Sequence, residues 1–147
     1  MKRHSSLVFL SREHHGALIL AQLLKRDAPI YKGMPTDTQG KAEYALQFYK
    51  EELVMHFEKE EKVLQLVTGI NGPLDLLVQT ILKEHKELHA AFLSINSQPD
   101  LVAYLDILGN ALESHVRKEE REVFPCIEKS CSDAQLANID KYLSADL

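Results

Sequence analysis

Along most of this chain apolar residues return every three and four positions, the period of one face of an α-helix, and strand-like alternation is nowhere sustained. Gly and Pro, gathered into a few clusters, divide that pattern into four long helices and a short fifth. The first is predicted from about Ser11, a candidate N-cap, to Lys25 and Arg26, basic residues suited to a C-terminal turn. Its inward stripe is Leu10, His14, Ala17, Leu18, Ala21 and Leu24. After an irregular connection, Asp27 to Gly40 with Pro29, Gly33 and Pro35, the second runs from about Lys41 to Val67. It carries Ala45, Tyr49, Leu53, His56, Glu60, Val63 and Val67 on one face and ends at Thr68-Gly-Ile-Asn-Gly-Pro73.

The third helix, from about Leu74 to Ile95, presents Val78, Ile81, Leu82, His85, His89 and Phe92, and stops at Asn96-Ser-Gln-Pro99. Pro99 suits the first turn of the fourth, whose stripe reads Leu101, Leu105, Leu108, Leu112, His115, Glu119 and Val123, and Pro125 should kink or end it. Ser132 followed by Gln135 matches a capping box and opens the last helix, with Leu136, Ile139 and Leu143 inward. Short links between the second, third and fourth helices specify antiparallel neighbours. The expected fold is all-α: an up-down-up-down four-helix bundle over about 11–125 and a C-terminal helix over about 132–145, forming one domain of 147 residues.

The chain also repeats itself weakly. Glu13-His14 is followed by His56-Phe-Glu-Lys-Glu-Glu61, and Glu84-His85 by His115-Val-Arg-Lys-Glu-Glu120, so that both halves read E-H and then H-x-x-K-E-E. Each half reads as one helical hairpin.

Composition narrows the possible roles. With 17 Lys+Arg against 22 Asp+Glu the net charge of -5 has the wrong sign for a general phosphate-backbone binder, so no nucleic-acid partner is expected. Two cysteines, Cys126 and Cys131, cannot build a disulfide scaffold and favour a reducing, cytoplasmic home. The start, MKRHSSLVFLSREHH, has four apolar residues before Ser11, short of the roughly 7 to 15 of a signal peptide, and no stretch reaches the roughly 18 of a membrane span.

Five of the seven histidines, His14, His56, His85, His89 and His115, fall on the inward stripes. Residues four apart on a helix are separated by about 40° and one turn, so His56/Glu60, His85/His89 and His115/Glu119 each aim two ligand atoms at one point. Buried imidazoles need a partner, and two carboxylates at the same depth need positive charge. No Lys or Arg lies on those faces. A metal supplies the charge most simply. His4, in the frayed start, and His15, about 100° away from His14, are left out, and Glu58, Lys59, Glu61 and Lys118 read as a solvated face.

With these residues the chain resembles the hemerythrin-like, or HHE cation-binding, family. The family pattern is an early histidine in the first helix, H-x-x-x-E in the second, H-x-x-x-H in the third, and a histidine with a carboxylate four or five residues later in the fourth. Here these are His14, His56 with Glu60, His85 with His89, and His115 with Glu119 or Glu120. The resemblance implies two non-haem iron ions bridged by carboxylates. One would be held by His85, His89 and His115, the other by His14 and His56, with an open position for dioxygen or another small diatomic ligand.

Oxygen-carrying hemerythrins place an aspartate five after the last histidine. Here Glu119 lies at about 40° from His115 and Glu120 at about 140°, which favours Glu119 as the inward carboxylate, with Glu122 at about -20° as a group supporting the site. Ferritin-like centres take four carboxylates and E-x-x-H pairs, which these faces lack. Histidine-rich ligation suits iron but admits zinc, copper or nickel. The reading is a protein that binds or senses dioxygen more than a catalyst; the alternative is a di-iron enzyme or iron-handling protein acting on nitric oxide or peroxide or in stress repair. The thiols Cys126 and Cys131 read as buried or incidental more than as a redox pair. The sequence names no protein partner.

Overall fold

The computed structural model describes residues 2–145, and their secondary structure is helical throughout. Helix α1 is Val8–Leu24, entered through a tight 3-10 turn, Ser5–Leu7, whose cap is His4: its imidazole accepts the Ser6 N–H. The helix therefore starts ahead of Ser11, which is not a cap. Ser11 sits inside α1 and donates its hydroxyl to Glu120.

Helix α2 spans 38–66. Asp37 caps it by accepting the Gly40 N–H, three residues before the expected start. One wide π turn, Tyr49–Leu53, interrupts it. Helix α3, Gly72–Leu93, is capped by Asn71 with Pro73 in its first turn. Helix α4 spans 101–130; Asp100 caps it, leaving Pro99 just outside. Its π turn, Glu119–Val123, precedes Phe124–Ser130. Pro125 thus does not end the helix: it falls in the first turn after the wide one, where the hydrogen-bond ladder is being re-registered and a missing N–H costs little. Helix α5, Asp133–Ser144, opens with both halves of the expected Ser132/Gln135 capping box.

The core is two apolar layers with a polar one between. One layer gathers Ala17, Leu20, Leu24, Leu53, Phe57, Leu88, Phe92, Leu108, Leu112 and Val116; the other gathers Leu7, Leu10, Val63, Val67, Val78, Ile81, Val123, Phe124, Ile139 and Leu143. Chain order through the layers reverses from each helix to the next. Between them lie His14, His56, Glu60, His85, His115 and Glu119, all buried. Helices α1 and α4 approach closely at Gly109, where a β-carbon would come within 2.7 Å of the Ala21 carbonyl oxygen. No helix among the described residues is long and apolar enough to cross a membrane.

Candidate metal centre

The polar layer forms two overlapping groups. His14, His56, Glu60 and Glu119 bring ligand atoms within 4.8 Å of one another, and so do Glu60, His85, His115 and Glu119. Glu60 and Glu119 belong to both. Glu60 Oε2 lies 3.0 Å from His14 Nε2 and 2.9 Å from His56 Nε2, and its Oε1 lies 3.1 Å from His85 Nε2. Glu119 Oε1 lies 3.3 Å from His14 Nε2 and 3.0 Å from His115 Nε2. These last contacts are misaligned for hydrogen bonding: His115 Nε2 and both Glu119 oxygens are buried and without a hydrogen-bond partner. Three such atoms converging on one place are costly in a protein core, and a cation is the partner their donor set fits.

The outward nitrogens are all accounted for. His56 Nδ1 meets Glu13 at 2.9 Å, His85 Nδ1 meets Glu61 at 2.9 Å, His115 Nδ1 meets Glu84 at 2.8 Å, and His14 Nδ1 meets Glu120 at 2.6 Å. The four pairs run in a circuit, α1 to α2, α2 to α3, α3 to α4 and α4 back to α1. Lys59 and Lys118 in turn pair with Glu13 and Glu84. A carboxylate accepts only, so each imidazole gives its Nδ1–H outward and turns Nε2 toward the centre as the atom that would meet a metal ion, the arrangement that makes histidine a good metal ligand.

Glu61, Lys59 and Lys118 are therefore not simply a solvated face, as the helical wheel suggested, whereas Glu58 is exposed. The wheel treats each helix alone and misses a side chain that reaches the next one. The available signal was the repeat: E-H and K-E-E recur because the same acids and lysines do the same work in both halves. Glu122 is also exposed, contrary to the sequence expectation. The π turn adds a residue between His115 and Val123 and rotates Glu122 about 100° off the inward face.

His89 belongs to neither group. Half-buried, it pairs its Nδ1 with the Tyr49 hydroxyl at 2.6 Å and packs edge-on to the Phe57 ring. Tyr49 itself lies in the first π turn and stacks on Phe92. Cys126 and Cys131 are free thiols, and burial, with Cys126 nearby, pushes the Cys131 thiol up, away from reactivity.

Burial alone would disfavour the charged imidazoles, but the carboxylates overrule it. Glu119, Glu120 and Glu60 hold His14 well above its ordinary range; Glu60 and Glu13 raise His56 to about 9; Glu119 and Glu84 raise His115 to about 10. Burial likewise opposes ionisation of Glu60, yet His56, His14 and His85 keep it well below the usual carboxylate range. The hydrogen bond from His115, against burial and with help from Lys118, takes Glu84 to about 2. In the ion-free protein protons thus supply the positive charge, and metal uptake must expel them.

A pH dependence follows. Stability from protonated His56 and His115 is complete below their ordinary value of 6.5 and is lost as pH rises through about 9 and about 10. The melting temperature of chelator-treated protein should fall between pH 6.5 and pH 10. A flat alkaline limb would contradict the assignment.

The family model described as hemerythrin HHE cation binding domain matches residues 6–127 of this chain. Neither the search of curated proteins nor that of solved structures gave a match.

Proposed function

The chain belongs to the hemerythrin HHE cation-binding family, and we propose that its buried histidine–glutamate layer holds two iron ions and binds or senses dioxygen or another small diatomic. The observation that carries this is the set of unpartnered inward atoms, His115 Nε2 and the two Glu119 oxygens, framed by four imidazoles whose outer nitrogens are already engaged. Within it, His14 and His56 would hold one ion and His85 and His115 the other, with Glu60 and Glu119 common to both groups. His89, four residues after His85, is the fifth imidazole, held by Tyr49 instead of a carboxylate. We read the four helices as up-down-up-down, a reading supported by the reversal of layer order between successive helices.

Iron, when bound, supplies reversible electron transfer toward the diatomic. The chain's own part is to orient and to exclude. Glu13, Glu61, Glu84 and Glu120 fix ring orientation and raise the basicity of the inward nitrogens. Buried Leu53, Leu112 and Val63, with the partly buried Leu18, and the rings of Phe57 and Phe124 stacked on His85 and His14, wall the layer with apolar surface and restrict water. We place the protein in the cytoplasm, in keeping with its two free thiols.

Protein expressed with sufficient iron should contain about two iron atoms per chain by elemental mass spectrometry, since the ligand set exceeds what one ion can use. A value near one, or zinc alone after iron-replete anaerobic preparation, would remove the di-iron reading. Absorption spectra of the loaded protein, reduced and then exposed to oxygen, separate the remaining alternatives. A reversible change supports binding or sensing; steady consumption of nitric oxide or peroxide identifies an enzyme.

A further inference from the structure

The family match begins at residue 6, yet residues 3 and 4 reach the centre's outer shell. Arg3 is the key contact, with a side chain only 18% exposed. Its Nη2 donates to the Glu120 carbonyl oxygen at 2.7 Å and to Glu120 Oε1 at 3.2 Å, and its Nη1 to Glu128 Oε1 at 2.8 Å. Its guanidinium also sits 5.5 Å from the centroid of Phe124. The backbone N–H of His4 donates to the same Glu128, pinning the arm beside α4.

Two of the three groups that Arg3 holds, Glu120 and Phe124, act on His14. Glu120 accepts the His14 Nδ1–H at 2.6 Å, and the Phe124 ring lies parallel to the His14 ring, centroids 5.5 Å apart. One guanidinium therefore fixes the hydrogen-bond acceptor and the stacking surface of a single imidazole. No other histidine of the layer has an arginine behind its carboxylate; His56 and His115 have lysines, each on one acid only.

We propose that Arg3 is a positioning residue for the metal centre: through Glu120 and Phe124 it sets the orientation of the His14 ring, so that the N-terminal arm tunes the His14/His56 half of the site and leaves the His85/His115 half alone. The inference rests on the metal-binding reading above. Loss of an outer partner typically weakens a metal site by about 10- to 100-fold, and Arg3 acts one step further out, so an effect of about tenfold on one equivalent is expected.

The test uses the full chain, as wild type, Arg3→Ala and Arg3→Lys, titrated anaerobically with ferrous iron alone. Arg3→Ala should weaken one of two equivalents about tenfold, and Arg3→Lys should recover most of it, since lysine still offers charge to Glu120. A second readout needs no metal. In ion-free protein the His14 Nδ1–H held by Glu120 should give a slowly exchanging downfield proton resonance, assigned by its absence in His14→Asn. Arg3→Ala should shift or broaden that resonance and spare those of His56, His85 and His115.

Equal weakening of both equivalents, together with a lowered melting temperature of the ion-free form, would make the arm a structural clamp and overturn the proposal. So would an unchanged titration with an unchanged His14 resonance. If wild type takes up no iron at all, the metal-binding reading falls, and the proton resonance still decides whether Arg3 positions His14.

Discussion

Replacing Glu60 by alanine is expected to empty the site of both ions, as large a loss as any single substitution in the chain should cause. One carboxylate stands within 3.1 Å of three inward nitrogens, those of His14, His56 and His85, and it contributes to both groups. Its removal leaves imidazoles from three helices facing one another with half of the inward negative charge gone, which disfavours any divalent cation there. Glu119→Ala, the other shared carboxylate, should behave in the same way. Glu120→Ala differs, since within the polar layer that side chain meets the outer nitrogen of His14 and no inward one: both ions should bind at saturating iron, with one equivalent weakened about 10- to 100-fold. Elemental analysis of the three variants after identical loading provides the measurement. Equal metal content in Glu60→Ala and Glu120→Ala would overturn the division into inward and outward acids.

Stripping the metal should lower the melting temperature by about 5 to 10 °C at neutral pH. Ligands that bind only the folded state stabilise by mass action, about 2.7 kcal/mol at a free concentration one hundred times the dissociation constant, and a domain of this size shifts by roughly 2–4 °C per kcal/mol. The loss is moderated because protons on His14, His56 and His115 replace part of the missing charge. It should therefore widen toward pH 10, where His56 and His115 give those protons up. Thermal melts with and without chelator, across that range, check both size and trend. Coincident midpoints would reduce the histidines to ordinary core residues.

The apolar period sufficed to locate the helices and most of their buried faces. Along α2 and its C-cap Val67 all seven predicted stripe residues, from Ala45 to Val67, are buried. The stripes also carry the six residues that converge, because a polar side chain held on an apolar face four residues from another has few places to go. Less legible were features that join helices or change their pitch. A π turn has no strong compositional mark, so the second one, at Glu119–Val123, misplaced Glu122 and made Pro125 look like a stop. The outer glutamates sit at helix edges, where azimuth alone cannot separate solvent from the neighbouring helix. Arg3 and His4 precede the first periodic residue, and periodicity says nothing about an arm that folds back along α4.

The circuit of glutamates has a consequence for how the repeat can change over time. Each hairpin carries one acid for its own histidine, Glu13 for His56 and Glu84 for His115, and lends another across the seam, Glu61 to His85 and Glu120 to His14. A hairpin by itself would leave one imidazole without its acceptor. The halves are thus creditors of each other: a substitution at the end of one H-x-x-K-E-E segment is felt as a loosened histidine in the opposite copy. Two repeated segments wired in this way cannot change independently, and neither can be traded for a foreign hairpin unless it brings its own lent glutamate at the same offset.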